Sequence, residues 1–296
     1  FVVKSGGANM LFENGGGGGS FTDVAAGVLA DAGSGTGAAW GDFDNDGDQD
    51  VYLVKSGAAN VLVRNDAGTF TDVTVAPLDD AGGGTGATWF DADADGDLDL
   101  YLTNSGSANR FMRNDGGIFA DATSGPLGST AQTNACAVGD YDNDGDLDLY
   151  LVNDGANELL RNDGGGAFTD ATVPPLDDAG AGYGAAWGDF DNDGDLDLYI
   201  SNGGTNRLLE NSSGTFVDVT VSPLTSFAAG RAACWPGCAR RSPRCAWCAP
   251  SAPKITNGAA TVSGSREPGA PPFDRPRSRP SPGRPSRPWA WPESSA

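Results

Sequence analysis

The chain has 296 residues, 40 acidic side chains against 18 basic ones, a net charge of −22 and no histidine. The lack of imidazole excludes Ser-His-Asp and Cys-His catalysis and His-ligated zinc, and the acidic balance argues against nucleic acid or anionic membrane as a partner of the repeat region. No apolar run approaches the roughly 18 residues of a membrane-spanning helix.

The charge is unevenly spread. Residues 1–225 hold 37 acids and 7 bases, whereas residues 226–296 hold 3 acids, 11 bases and 13 of the 18 prolines. Two segments are expected: a body over 1–235 and a Pro/Arg/Ser-rich tail over 236–296.

In chain order, Phe1-Val-Val-Lys4 with Asn9, Asn14 and Phe21 comes first. It has the phase of Tyr52-Leu-Val-Lys55 with Asn60, Asn65 and Phe70. The chain is therefore expected to open in mid-repeat and to be a piece of a longer array. The first acidic loop, Asp42 to Asp50, returns as Asp91–Asp99, Asp140–Asp148 and Asp189–Asp197, 49 residues apart each time. Such a period marks a repeat architecture.

Other landmarks keep phase. A Leu precedes an aromatic position by eleven residues at Leu29/Trp40, Leu78/Trp89 and Leu176/Trp187, with Val138 taking the aromatic place after Leu127. Each loop is followed by an apolar run such as Val51-Tyr-Leu-Val54, then by paired asparagines (Asn60/Asn65, Asn109/Asn114, Asn157/Asn162, Asn206/Asn211), then by Phe70, Phe119, Phe168 or Phe216.

Short runs rich in Val, Tyr, Phe, Leu and Thr, split by Gly/Asn/Asp clusters, read as strands. The first complete unit predicts strands near 36–41, 51–55, 60–64 and 69–74. Asn65-Asp-Ala-Gly68, Asn114-Asp-Gly-Gly117 and Asn162-Asp-Gly-Gly-Gly166 are expected hairpin turns, because these residues tolerate positive φ. Four strands in such a period describe one blade of an all-β fold, a β-propeller. A β-solenoid is the alternative, though its repeats are usually shorter.

The loops place carboxylates at positions 1, 3, 5, 7 and 9, with Gly at 6. A hard cation such as calcium takes six to eight oxygens, which alternating Asp in a tight loop supplies from one side. The candidate metal residues are Asp42, Asp44, Asp46, Asp48 and Asp50; Asp91, Asp93, Asp95, Asp97 and Asp99; Asp140, Asp142, Asp144, Asp146 and Asp148; and Asp189, Asp191, Asp193, Asp195 and Asp197. Position 7 is expected to serve through its backbone carbonyl. A merely solvated acidic turn is disfavoured, since the same crowding of five carboxylates recurs four times. Nor is it an EF-hand: position 12 is Leu53, Leu102, Leu151 or Ile200 rather than Glu, and a strand follows.

These loops, typified by Trp187-Gly-Asp-Phe-Asp-Asn-Asp-Gly-Asp-Leu-Asp-Leu-Tyr199, resemble the FG-GAP/VCBS repeats of integrin α-subunit propellers. They are similar above all to the repeat region of cartilage-acidic-protein and UnbV-type proteins, over about residues 1–235. The resemblance implies a propeller, often seven-bladed, with up to four calcium ions held here in loops on one face. It also implies an extracellular or cell-surface role in recognising a protein or glycan partner. Four loops fall short of seven blades, which leaves ring closure open.

Trp40, Trp89 and Trp187 suit either packing between blades or a sugar-stacking face; neighbouring small residues favour packing. Four identical carboxylate sets argue against an active site, which is normally a single special constellation, so no enzyme is expected. Cys136 is expected to be a buried, inert thiol. Leu224 and Trp235 begin a further unit, after which repeat identity stops; a frameshift or misjoined gene model is one expectation. The tail composition predicts disorder. Zinc at Cys234, Cys238, Cys245 and Cys248, or RNA and acidic partners at its arginines, are the lesser readings there.

Overall fold

The structure is a computed structural model and describes residues 1–15 and 20–221. The expectations for the tail, its four cysteines and the unit opening at Leu224 lie outside these residues. Two strands open the fold: β1 (Phe12–Asn14) and β2 (Phe21–Asp23) pair antiparallel. Four blades follow. The first holds β3 (Gly35–Gly41), β4 (Asp50–Lys55), β5 (Val61–Asp66) and β6 (Thr69–Asp72). The second holds β7 (Gly84–Phe90), β8 (Asp99–Asn104), β9 (Arg110–Asp115) and β10 (Ile118–Asp121). The third holds β11 (Thr133–Gly139), β12 (Asp148–Asn153), β13 (Glu158–Asn162) and β14 (Phe168–Asp170). The fourth holds β15 (Gly182–Gly188), β16 (Asp197–Asn202), β17 (Arg207–Ser212) and β18 (Thr215–Asp218). In each blade the strands lie in chain order and pair antiparallel, a four-stranded meander.

Strand bounds differ from expectation by a residue or two, for local reasons. In the first blade β6 stops at Asp72, whose Oδ1 accepts from Thr74 N (2.9 Å) and Thr74 Oγ1 (2.6 Å) and turns the chain. Strand β5 starts after Asn60, whose Oδ1 caps Lys55 N at 2.8 Å.

The second strand of each blade explains the continuous apolar run. Val51, Tyr52, Leu53 and Val54 are all buried, because both faces of β4 meet other blades, as the run without alternation implies. Val51 and Leu53 join Leu29 on one side. Tyr52 and Val54 join Leu78, Leu100, Leu102 and Met112 of the second blade on the other. The next two junctions are built alike, around Tyr101 with Leu127 and around Tyr150 with Leu176. At each, the tyrosine hydroxyl donates to the carbonyl of the leucine 26 residues ahead: Tyr52 to Leu78, Tyr101 to Leu127 and Tyr150 to Leu176, at 2.5, 2.9 and 2.7 Å. Without this carbonyl the buried hydroxyl would have no acceptor for its proton.

First strands also adjoin across blades. Thr36 Oγ1 donates to Gly84 O (2.8 Å), Thr85 Oγ1 to Thr133 O (2.6 Å) and Asn134 Nδ2 to Gly182 O (2.8 Å). Trp89 and Trp187 fill the blade junctions, with Trp89 edge-on to Tyr52 and Trp187 edge-on to Tyr150. Packing therefore accounts for both, while Trp40 is 37% exposed. Cys136 is partly buried against the cluster around Phe90, and burial pushes its thiol up to about 12, so it stays protonated at neutral pH.

Candidate metal centre

The four acidic loops join the first and second strands of their blades, so all leave from equivalent strand ends. Each loop reverses tightly through two left-handed residues. Position 4 (Asn45, Ala94, Asn143, Asn192) has φ of 56–64°, and the glycine at position 6 has φ of 93–99°. The glycine is needed there because a side chain disfavours that region.

Within this turn the backbone amides point inward at carboxylates. Asp42 Oδ1 accepts from Asp46 N (3.1 Å) and Oδ2 from Gly47 N (2.9 Å). Asp50, fully buried, accepts from Phe43 N (3.1 Å) and from Asn65 N on β5 (2.8 Å). The same pairs of bonds hold Asp99, Asp148 and Asp197. Position 9 thus ties the loop to the third strand of its blade.

The structure brings together positions 1, 3 and 9. One oxygen from each of Asp42, Asp44 and Asp50 lies within 4.8 Å of the others, and so do those of Asp91/Asp93/Asp99, Asp140/Asp142/Asp148 and Asp189/Asp191/Asp197. Positions 5 and 7 stand outside these triads. Asp46, Asp95, Asp144 and Asp193 each accept from the backbone N–H two residues on, at 2.8–2.9 Å. Asp48, Asp97 and Asp195 turn their carboxylates to the hairpin turn of their own blade, accepting from Ala67 N, Gly116 N and Ser213 N. Asp146, at position 7 of the third loop, donates its N–H to Asp144.

The electrostatics suit a cation. Asp44, Asp93 and Asp142 are raised above the ordinary carboxylate range, first by burial and then by the neighbouring Asp46, Asp95 and Asp144. Burial pushes Asp50 and Asp99 up to about 6 and Asp148 to about 7, partly offset by their backbone hydrogen bonds. One oxygen in each of three loops has no hydrogen-bond partner although it is buried: Asp44 Oδ1, Asp93 Oδ1 and Asp142 Oδ1. Buried acceptors are nearly always satisfied, and an all-oxygen donor set with an unpaired inward carboxylate fits a hard cation. The residues present therefore fit a metal ion, and the four triads could each hold one. In the fourth loop Asp189 and Asp191 are exposed, and Asp191 Oδ1 accepts from Asp193 N (3.2 Å).

The paired asparagines have a role that their place in the repeat does not by itself reveal. The second asparagine of the last three pairs reaches back to the loop of the blade before: Asn114 Nδ2 donates to Phe43 O, Asn162 Nδ2 to Ala92 O and Asn211 Nδ2 to Tyr141 O, at 2.7–2.8 Å. The available signal was their spacing, 14 or 15 residues after the ninth position of every loop.

Among solved structures, the chain is similar to an Agrocybe aegerita lectin described as recognising non-reducing terminal N-acetylglucosamine. The identity is 21%, the TM-score 0.50, and the match covers 71% of this chain and 60% of the lectin. The chain thus spans less than two thirds of that protein's length, and the likeness bears on the fold, a β-propeller. A second likeness, to the Photorhabdus luminescens Tc holotoxin pore, has 19% identity and a TM-score of 0.38, over 67% of this chain and 10% of that one. No curated protein matches the chain in sequence. The FG-GAP-like repeat model matches five times in tandem, over residues 1–53, 42–102, 91–151, 140–200 and 189–236. Together with the 49-residue blades and their acidic loops, these matches show that the chain belongs to the FG-GAP-like repeat family.

Proposed function

We propose that the protein is a calcium-stabilised propeller module for recognition outside the cell or at its surface, and that it catalyses no reaction. The observation that carries the metal half of this reading is the unpaired, buried Oδ1 of Asp44, Asp93 and Asp142, each inside a triad of carboxylates. Calcium supplies the missing positive charge and coordinates the oxygens that the loop leaves open. Oxygen-only ligation favours it over softer metals. The near-identity of the four loops supports a structural role, since a catalytic constellation is normally unique.

Location follows from affinity. Loop sites of extracellular type bind with Kd of about 10⁻⁴ to 10⁻³ M, so they fill at millimolar calcium and stand empty in a calcium-poor cytosol. Among the described residues no helix is long and apolar enough to cross a membrane. Titration of metal-free protein with calcium by calorimetry tests the reading. The expected result is several ions per chain, with one fewer in Asp93→Asn; no binding at millimolar calcium overturns it.

A second reading, a glycan as the partner, draws on the likeness to the Agrocybe aegerita lectin. Its test is a glycan array probed in calcium. Quenching by a bound sugar would be expected at Trp40, the exposed one among the described tryptophans, rather than at Trp89 or Trp187 between the blades.

A further inference from the structure

Each of the first three acidic loops is held by two blades. Asn162 makes the connection in three directions. Its N–H donates to Asp148 Oδ1 in the loop of its own blade (2.9 Å), and its Nδ2 donates to Leu147 O there (3.3 Å) and to Ala92 O in the preceding loop (2.7 Å). The Ala92 carbonyl belongs to the peptide unit whose nitrogen is that of Asp93. The N–H of Ala92 in turn donates to Asp99 Oδ2 at 2.9 Å. Asn162 therefore fixes the backbone from which one triad's central carboxylate projects, while holding the closing carboxylate of the next triad.

The other two junctions repeat this geometry. Asn114 N donates to Asp99 Oδ1 (2.8 Å), and its Nδ2 to Leu98 O (3.1 Å) and Phe43 O (2.8 Å). Asn211 N donates to Asp197 Oδ1 (2.8 Å), and its Nδ2 to Leu196 O (3.0 Å) and Tyr141 O (2.8 Å). All three asparagines are fully buried, so water does not compete for these bonds. The turns beyond them lie over the preceding loops: a Cβ on Gly117 would stand 3.9 Å from Asp44 Cβ, and one on Gly166 would stand 3.8 Å from Asp93 Cβ.

We propose that Asn114, Asn162 and Asn211 are positioning residues for the cation sites, and that through them occupancy of one loop raises the affinity of its neighbours. The inference rests on the calcium reading above. A cation that draws in Asp148 orders Asn162. An ordered Asn162 presents its amide to Ala92 O, and the ordering that Asp93 must undergo on binding is then already made. By linkage the effect is reciprocal. The loops form a line of coupled sites, much as stability in repeat proteins propagates between nearest neighbours.

The test is hydrogen exchange followed by mass spectrometry on the full chain, titrated with calcium and read separately at residues 42–50, 91–99, 140–148 and 189–197. With Asn162→Ala, the calcium midpoints at 91–99 and 140–148 should both rise about five-fold, the loss of one ordinary hydrogen bond each, with 42–50 moving less. General weakening of the fold would move all four midpoints together, and that result overturns the proposal. So does a shift confined to 140–148.

Asp142→Asn, which keeps side-chain shape and disables only the third site, carries the test if Asn162→Ala fails to fold. It should raise the midpoint at 91–99, and an unchanged midpoint there counts against the coupling. Calcium protection in the unaltered chain without these shifts overturns the coupling alone, whereas no protection at any loop overturns the calcium reading and the coupling with it.

Discussion

Trp187 of the fourth blade lies over Gly139 of the third so closely that a Cβ there would fall 2.8 Å from its Cδ1 and 3.2 Å from Leu196 Cδ1. Gly41 stands in the same relation to Trp89. The indole is wedged between blades and cannot swing away. Gly139→Ala should therefore destabilise by about 1–3 kcal/mol through overpacking. Urea unfolding in calcium checks this, as a lower midpoint at unchanged slope.

The second junction solves the same volume problem the other way round. There the blade ahead supplies Val138 instead of Trp, and the equivalent of the glycine is Phe90, 3% exposed in the cluster that Val138 packs against. Val138→Trp alone should overfill the site, and Phe90→Gly alone should leave a cavity costing about 3–5 kcal/mol. The double variant should recover more than about 1 kcal/mol of their sum. Additive losses in a double-mutant cycle would show that the two positions do not share one space.

Most of the fold was legible because periodicity carries it. The 49-residue spacing, the apolar runs and the Asn/Gly turns each pointed to four strands per blade, and β3 to β18 follow. The loops were legible for the same reason, but not the division of labour inside them. Asp46 is indistinguishable from Asp42 and Asp44 in spacing, yet only Asp42 and Asp44 converge with Asp50 to within 4.8 Å. Which carboxylates converge depends on the two left-handed residues, and that is a property of the folded loop. The bridging role of Asn162 was hidden too, because its partner Ala92 lies 70 residues away.

Calcium should raise thermal stability by a large increment. A site with Kd of about 10⁻⁴ M at ~1 mM calcium contributes roughly 1.4 kcal/mol, so four give about 6 kcal/mol. For a body of this size that corresponds to a Tm shift of about 10–20 °C. Calorimetry in calcium and in chelator measures it. Asp44→Ala, Asp93→Ala and Asp142→Ala should each remove at least about a quarter, since a lost site also weakens its neighbours, and Asp191→Ala less, because its loop is exposed.

Acidity should act oppositely on the metal-free and calcium-loaded forms. Asp50, Asp99 and Asp148 are raised from 3.8 to about 6, 6 and 7. A carboxyl whose folded pKa lies above its unfolded value favours the fold while protonated. Their contribution to the metal-free fold is thus complete below pH 3.8 and is lost as pH rises through 6 to 7. Calcium must displace those protons, so its binding strengthens over the same window. Melts at pH 5 and pH 8 should show the chelated protein less stable at pH 8, and the gain from calcium larger there. A calcium increment that does not grow with pH would rule out these carboxylates as ligands.

The second loop carries an avoidable strain. Ala94 adopts φ of 60°, where its counterparts are Asn45, Asn143 and Asn192. Left-handed backbone costs an ordinary L-residue roughly 1 kcal/mol, and asparagine tolerates it better. Asn45 Nδ2 also donates to Asp97 Oδ1 (2.7 Å) and Asn143 Nδ2 to Asp195 Oδ1 (2.8 Å), each in the loop of the next blade. Ala94 has no amide to offer Asp146, the residue in the matching place. Ala94→Asn should therefore stabilise by about 1–2 kcal/mol, combining the relieved backbone with one new hydrogen bond. Ala94→Gly relieves the backbone alone and pays in unfolded-chain entropy, so it should change stability by less than about 0.5 kcal/mol. Urea midpoints ordered Asn above Gly and Gly level with Ala would assign most of the gain to the bond between blades. If Gly matched Asn, the strain at Ala94 would account for all of it.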